Sequence, residues 1–222
     1  MSKAQCAFLC ARNIHENFKL VKNAAKWLHG IKTSAVLMKI DILKAFDTLS
    51  SEFLLEVLMR RGFGHMWCSW ICGLLASASS KVMINGQQFE AFALACGVRQ
   101  GDPLSSALFI LEMDVLQMMA SWATSNRLLS DIGFSPGVLR TSMFADDAVV
   151  FSKSLPTYLH VISSLLGLFG DGSGLRMNLN KCSITCIRCD NSLASSMAAF
   201  FSCKLQPFLL QYLGIPLSIY WL

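Results

Sequence analysis

The sequence predicts an α+β fold with a mostly antiparallel sheet, on three observations. Short apolar runs of strand length interleave with longer helical patterns. An Asn-Gly pair stands between two such runs, the strongest local signal for a hairpin. Proline opens two helical stretches, one or two positions after a polar residue suited to capping.

The elements follow in order. Residues 15–29 carry Phe18, Val21 and Leu28 at helical spacing from Ile14 just before them, with lysines between, so a helix is expected. Ala35–Ile40 is a strand-like run that stops on the charge of Asp41. Ser50 or Ser51 caps a helix through Met59, which Gly62 ends, and His65–Ala76 forms another. Lys81–Ile84, the turn Asn85-Gly86 and Gln87–Leu94 read as a hairpin with a type I′ turn. Asp102 and Pro103 start a helix reaching about Ala120. Residues 141–151 read as a strand pair. Ser154 and Pro156 start a helix to Phe169, where Gly170, Gly172 and Gly174 break it before a strand near Ser183–Arg188.

At 222 residues the chain holds one large domain or two small ones, with no repeat or linker to divide it. Its hydrophobic content of 54% and mean hydropathy of +0.48 are high for a complete domain. A membrane span would explain them, but no apolar window of ~18 residues is expected. The longest candidate, Leu104–Met119, carries Glu112 and Asp114 and reads as a buried helix. An excised core whose covering parts lie elsewhere explains the composition better. No signal-peptide pattern opens the chain. Nine scattered cysteines suit a reducing compartment, hence an intracellular site. Cys182, Cys186 and Cys189 fall in a stretch that reads as a strand and not as a zinc knuckle. The net charge of +5 is concentrated before residue 41, where seven Lys and Arg face Glu16 alone. That asymmetry suits a polyanionic partner.

One feature points to chemistry. Asp146 and Asp147 interrupt the apolar run Thr141–Phe151, without the Gly, Pro or Asn that normally announce a solvated turn. Buried carboxylates resist ionising unless a positive group stands beside them. A hard cation such as Mg²⁺, which takes oxygen ligands from carboxylates and phosphates, is the simplest remedy. With Asp41, these acids form the skeleton of a two-metal phosphoryl-transfer site.

Five stretches then resemble the reverse transcriptase of non-LTR (LINE-type) retrotransposons, most closely the plant branch. Lys39–Asp47 resembles the first palm motif and Gly97–Ser105 the second. Phe144-Ala145-Asp146-Asp147 is similar to the catalytic hairpin, and Gly174–Lys181 and Tyr212–Leu217 to the two motifs that follow. The match covers nearly the whole chain. It implies a reverse-transcriptase palm, an antiparallel sheet packed on helices, with partial fingers and the thumb missing. Residues 1–34 would form a fingers-side helix, 35–48 palm, 49–96 fingers-side helices and hairpin, and 97–222 palm to primer grip. It further implies an RNA-directed DNA polymerase joining dNTPs to a DNA primer on an RNA template. Two Mg²⁺ ions, with Mn²⁺ as a substitute, would be held by Asp41, Asp146 and Asp147, and Lys181 would protonate pyrophosphate. Ile42, Arg99, Gln100 and Gly101 would meet nucleotide and template, with Phe46 as the steric gate against a ribose 2′-hydroxyl. Tyr212, Leu213 and Gly214 would form the primer grip. The expected setting is cytoplasm and/or nucleus without a membrane partner. A rival reading of the same motifs is a catalytically inactive relic that keeps nucleic-acid binding or a protein-interaction role.

Overall fold

The computed structural model describes residues 1–2, 4–10, 12–132 and 140–219. Segments 133–139 and 220–222, which the sequence assigns to the palm half, lie outside the described residues. In chain order the elements are α1 (Ile14–Gly30), β1 (Ala35–Ile40), α2 (Ala45–Thr48), α3 (Ser51–Arg60) and α4 (His65–Ala76). Next come the two-residue strands β2 (Ser79–Ser80), β3 (Met83–Ile84), β4 (Gln87–Gln88) and β5 (Phe92–Ala93), then α5 (Pro103–Ser125). They are followed by β6 (Thr141–Phe144), β7 (Asp147–Lys153), α6 (Pro156–Ser173), β8 (Ser183–Ile187) and α7 (Asn191–Phe200). β9 (Lys204–Leu205), β10 (Leu210–Tyr212) and β11 (Ile215–Leu217) complete the described chain.

The main sheet runs β6-β7-β1-β8-β9, antiparallel except for the last pair. β1 sits at its centre because it is apolar on both faces, as a strand covered on two sides must be. Its even positions Val36, Met38 and Ile40 join Phe109, Met113, Leu166 and Phe169 in one core. Its odd positions Ala35 and Leu37 join Val21 and Leu28 of α1, Phe151 and Tyr212 in a second. The result is three layers: α3 to α7, the sheet, and α1 with the β10–β11 hairpin. This is an α+β architecture with a mostly antiparallel sheet, as the sequence predicts.

The strongest local signals hold. Ser50 accepts from Phe53 N at the start of α3 as expected, and Asn13, which had no sequence expectation, accepts from Glu16 N at the start of α1. Asp102 accepts from Leu104 N at 2.9 Å ahead of Pro103. Asn85 (φ 51°) and Gly86 (φ 80°) supply the two positive angles of a type I′ turn. The strand beyond it is shorter than expected, split into β4 and β5 with different partners.

α5 outruns its expected end at Ala120 and reaches Ser125. Among the described residues it is the one helix long and apolar enough to cross a membrane, which corrects the expectation that no such window exists. Its two acids are outweighed by the apolar residues around them, and more than half of the stretch is buried in the protein's own core. Asp114 is tied there by Arg61 Nη2 at 2.8 Å and by Ser2 N at 3.0 Å. Burial raises its pKa, but the hydrogen bonds from Ser2 and the Arg61 charge outweigh that and hold it below the ordinary carboxylate range.

α6 also runs past its expected end. Gly170 and Gly172 lie inside it against Arg176 and the Phe53 ring, and only Gly174, at φ 78°, stops it. Packing here overrides a propensity cost of about 1 kcal/mol per glycine. α7 had no sequence expectation, although Asp190 accepts from Leu193 N at 2.8 Å as an ordinary N-cap.

Candidate active site

Strand parity brings the acids together. β1 and β7 pair as far as Ile40↔Ala148, so one further step sets Asp41 across from Asp147. Both are odd positions, on the sheet face that carries Leu37 and Lys39 of one strand and Val149 and Phe151 of the other. Lys39 Nζ lies 3.7 Å from Asp147 Oδ1, and Lys181 Nζ 3.9 Å from Asp41 Oδ2. The Asp147 carboxyl is pushed above its ordinary pKa, first by burial and then by the charges of Asp146 and Asp41, with Lys39 opposing.

Phe144 and Asp147 close the β6–β7 hairpin across Ala145 and Asp146. Ala145 takes φ 54°, a left-handed angle that costs a side chain about 1–2 kcal/mol. Asp146 occupies the tip and is exposed, not buried as its apolar flanks suggest, because a turn tip faces solvent whatever its neighbours. Among the described residues no three Asp, Glu, His or Cys side chains are drawn together as a ready metal cage. Two of the acids rest on lysines instead. The donor set still fits a hard cation: each of the three acids offers carboxylate oxygens, and the repulsion from Asp146 and Asp41, which adds to burial in raising the Asp147 pKa, is what a divalent ion would relieve.

The segment carrying Lys181 is pinned onto the end of β1. Leu43 N donates to Arg176 O and Asn178 N to Asp41 O, both at 2.8 Å, and Ile42 bridges Met177. Beside it opens a cleft of about 460 Å³ lined by Lys39, Asp41, Lys181 and Lys204, a cationic wall next to a carboxylate. On the other side, Phe46 stacks on Phe109 of α5 at 4.9 Å. Val98 N donates to Phe46 O at 2.7 Å, an approach Gly97 permits because a Cβ there would lie 2.7 Å from the same oxygen. Gln100 Nε2 donates to Asp47 Oδ1 at 3.1 Å, and Arg99 is exposed beside it. Gly101 is required by its φ of 86° and not by crowding, since a Cβ would meet nothing within 4 Å.

The family model described as reverse transcriptase (RNA-dependent DNA polymerase) matches residues 1–217. The chain belongs to the reverse transcriptase family. Proteins similar to it include Pol polyproteins of R2 retrotransposable elements and a protein of the transposon TX1. The Pol polyprotein of the type-2 retrotransposable element R2DM of Drosophila melanogaster is 29% identical over 180 residues, covering 80% of this chain and 16% of that protein. The transposon TX1 149 kDa protein of Xenopus laevis is 25% identical over 209 residues, 93% of this chain and 15% of that protein. An R2 Pol polyprotein of Nasonia vitripennis is 28% identical over 185 residues, 80% and 17%. This reverse transcriptase domain therefore spans about a sixth of the length of these relatives.

Two expected contact residues of the reverse transcriptase domain are placed elsewhere. Ile42 is 5% exposed in the helix-side core, so only its backbone borders the site. Tyr212 is fully buried, and a ring in the core offers no surface to a primer. Its hydroxyl donates to Asn17 Oδ1 at 2.6 Å, and burial first, then the charge of Asp147, push its pKa upward. The β10–β11 turn does reach the acids' neighbourhood: Leu213 (φ 51°) and Gly214 (φ 75°) form it, and Lys39 Nζ donates to Gln211 O at 3.3 Å. Sequence reasoning missed Gln5 and Asn17, both fully buried behind the β6–β7 hairpin. Asn17 left a signal, an amide on the apolar stripe with Val21, Ala24 and Leu28.

Proposed function

We propose that this domain is the palm of an RNA-directed DNA polymerase that extends a primer 3′-hydroxyl with dNTPs on an RNA template. The observation that carries the reading is the β1–β7 register, which ends at Ile40↔Ala148 and so leaves Asp41 one step beyond it, across from Asp147, with Asp146 at the turn between β6 and β7. Asp41 and Asp146, with Asp147 beside them, would hold two Mg²⁺ ions. Bound there, the ions supply the charge that makes a primer hydroxyl nucleophilic and that offsets the leaving pyrophosphate. The chain's own groups do the rest. Lys181 and Lys204 line a wall where phosphate charge would accumulate, and Lys181 would protonate pyrophosphate. The Phe46 ring, held by Phe109, would exclude a ribose 2′-hydroxyl. Gln100, Gly101 and Arg99 would floor the site under the nucleotide and template. In the intact element the primer would be nicked target DNA, and the reading carries an intracellular setting, cytoplasm and/or nucleus.

A second reading, an inactive relic that still binds RNA, is favoured by one observation. Asp41 and Asp147 stand against lysines, with no three-donor cage among the described residues. Primer extension on poly(A)·oligo(dT) separates the two. The polymerase reading predicts Mg²⁺-dependent incorporation that Asp146→Asn lowers by about a thousandfold. Salt-dependent RNA binding without incorporation, equal in the variant, selects the relic.

A further inference from the structure

Resting on that reading of the site, we infer that Gln5 and Asn17 are positioning residues which, with Tyr212, fix the catalytic Ala145-Asp146 turn from behind. The stretch around Gln5 adds itself to the edge of β6. Met143 N donates to Ala4 O at 2.8 Å, Cys6 N donates to Met143 O at 3.0 Å, and Gln5 bridges Met143 in parallel. The Gln5 side chain then reaches the turn itself. Its Oε1 accepts from Ala7 N at 2.9 Å and from Ala145 N at 3.3 Å. Two N–H donors on one atom fix which end of the amide is oxygen.

The other end of that amide explains why the residue is there. Gln5 Nε2 is buried and finds no partner among the described residues. An unsatisfied buried donor costs about 1–3 kcal/mol, so packing alone favours an apolar side chain at this place. What only the amide oxygen provides is an acceptor for Ala145, the residue held at the left-handed φ of 54°. Strained turns persist when their surroundings over-determine them, and here the surroundings are a side chain from the far end of the sequence.

Asn17 does the same for the strand leading in. Its Nδ2 donates to Met143 O at 3.0 Å, and its Oδ1 accepts from the Tyr212 hydroxyl at 2.6 Å. Tyr212 thus orients the amide of Asn17, and Asn17 holds β6 in register two residues before the turn. All three side chains are fully buried. They touch neither nucleotide nor metal, and act through where Asp146 stands.

Hydrogen exchange on the 222-residue chain tests this without requiring activity. In Gln5→Met, amide exchange over 143–148 should rise by about tenfold while β1 and β8 keep their protection and the urea midpoint holds. Tyr212→Phe, which keeps the ring in the core, should give a smaller rise over 141–145. In primer extension both variants should lose kcat, about tenfold for Gln5→Met, with KM for primer–template unchanged. Unchanged exchange at 143–148, or exchange rising equally across β1 and β8, overturns the inference. If the wild-type chain incorporates nothing, the polymerase reading fails, and the exchange result alone decides whether these residues hold the turn.

Discussion

Replacing Glu112 by methionine stabilises the protein, by about 3 kcal/mol at pH 7. Glu112 is fully buried in α5, and neither carboxyl oxygen has a partner among the described residues. Burial alone pushes its pKa up to about 9, so the folded protein keeps it protonated at neutral pH. The sign follows from proton counting. Between the unfolded value of 4.5 and the folded value of about 9, the unfolded chain has released a proton that the folded chain retains. Stability therefore falls as pH rises through that window, by about 1.4 kcal/mol per unit. Methionine has similar volume and length, titrates nowhere in the window and needs no hydrogen bond. Urea midpoints from pH 5 to 8 check this: the wild type loses stability steadily, and Glu112→Met removes most of that slope. A wild-type curve with no fall over that range would show that the carboxyl finds a partner or water.

Gly174→Ala costs about 4 kcal/mol, the larger of two glycine effects set by the same kind of angle. Gly174 ends α6 at φ 78°, and an added Cβ would collide with the carbonyl oxygen of Thr48. The backbones must separate there, although Ser50 N donates to Ser173 O at 2.7 Å across the same junction. That junction braces the residues just after Asp41 and Phe46, so the damage reaches the site as well as the fold. Gly214→Ala is the control. It has nearly the same angle, φ 75°, but nothing within 4 Å of the added carbon, and should cost only about 1–2 kcal/mol. Equal urea-midpoint shifts for the two variants would show that the angle, not the contact with Thr48, sets the cost.

Local chemistry made much of this fold readable. Capping by Ser50 and Asp102, the Asn85-Gly86 turn, and the apolar run of β1 each act over a few residues, where the sequence states the physics directly. Gly170 and Gly172 misled because their helix is held by Phe53 and Arg176, contacts a local pattern does not contain. α7 was overlooked because its small residues give weak periodicity, although its cap was present at Asp190. The acids were legible through their apolar flanks and the family motifs, and strand parity brings Asp41 and Asp147 to one face. The burial of Ile42 and Tyr212 was not legible, since a motif names a position without saying which way its side chain points. Nor was the hold of Gln5 on Ala145, which spans 140 residues of sequence.

Titration of Mn²⁺ against the chain, with free ion followed by electron paramagnetic resonance, tests the convergence of the acids most directly. Saturable binding in the wild type should weaken by about tenfold or more in Asp41→Asn and in Asp146→Asn alike, with circular dichroism unchanged. Equal affinity in all three proteins, or a loss confined to one variant, would mean that these carboxylates do not share a cation.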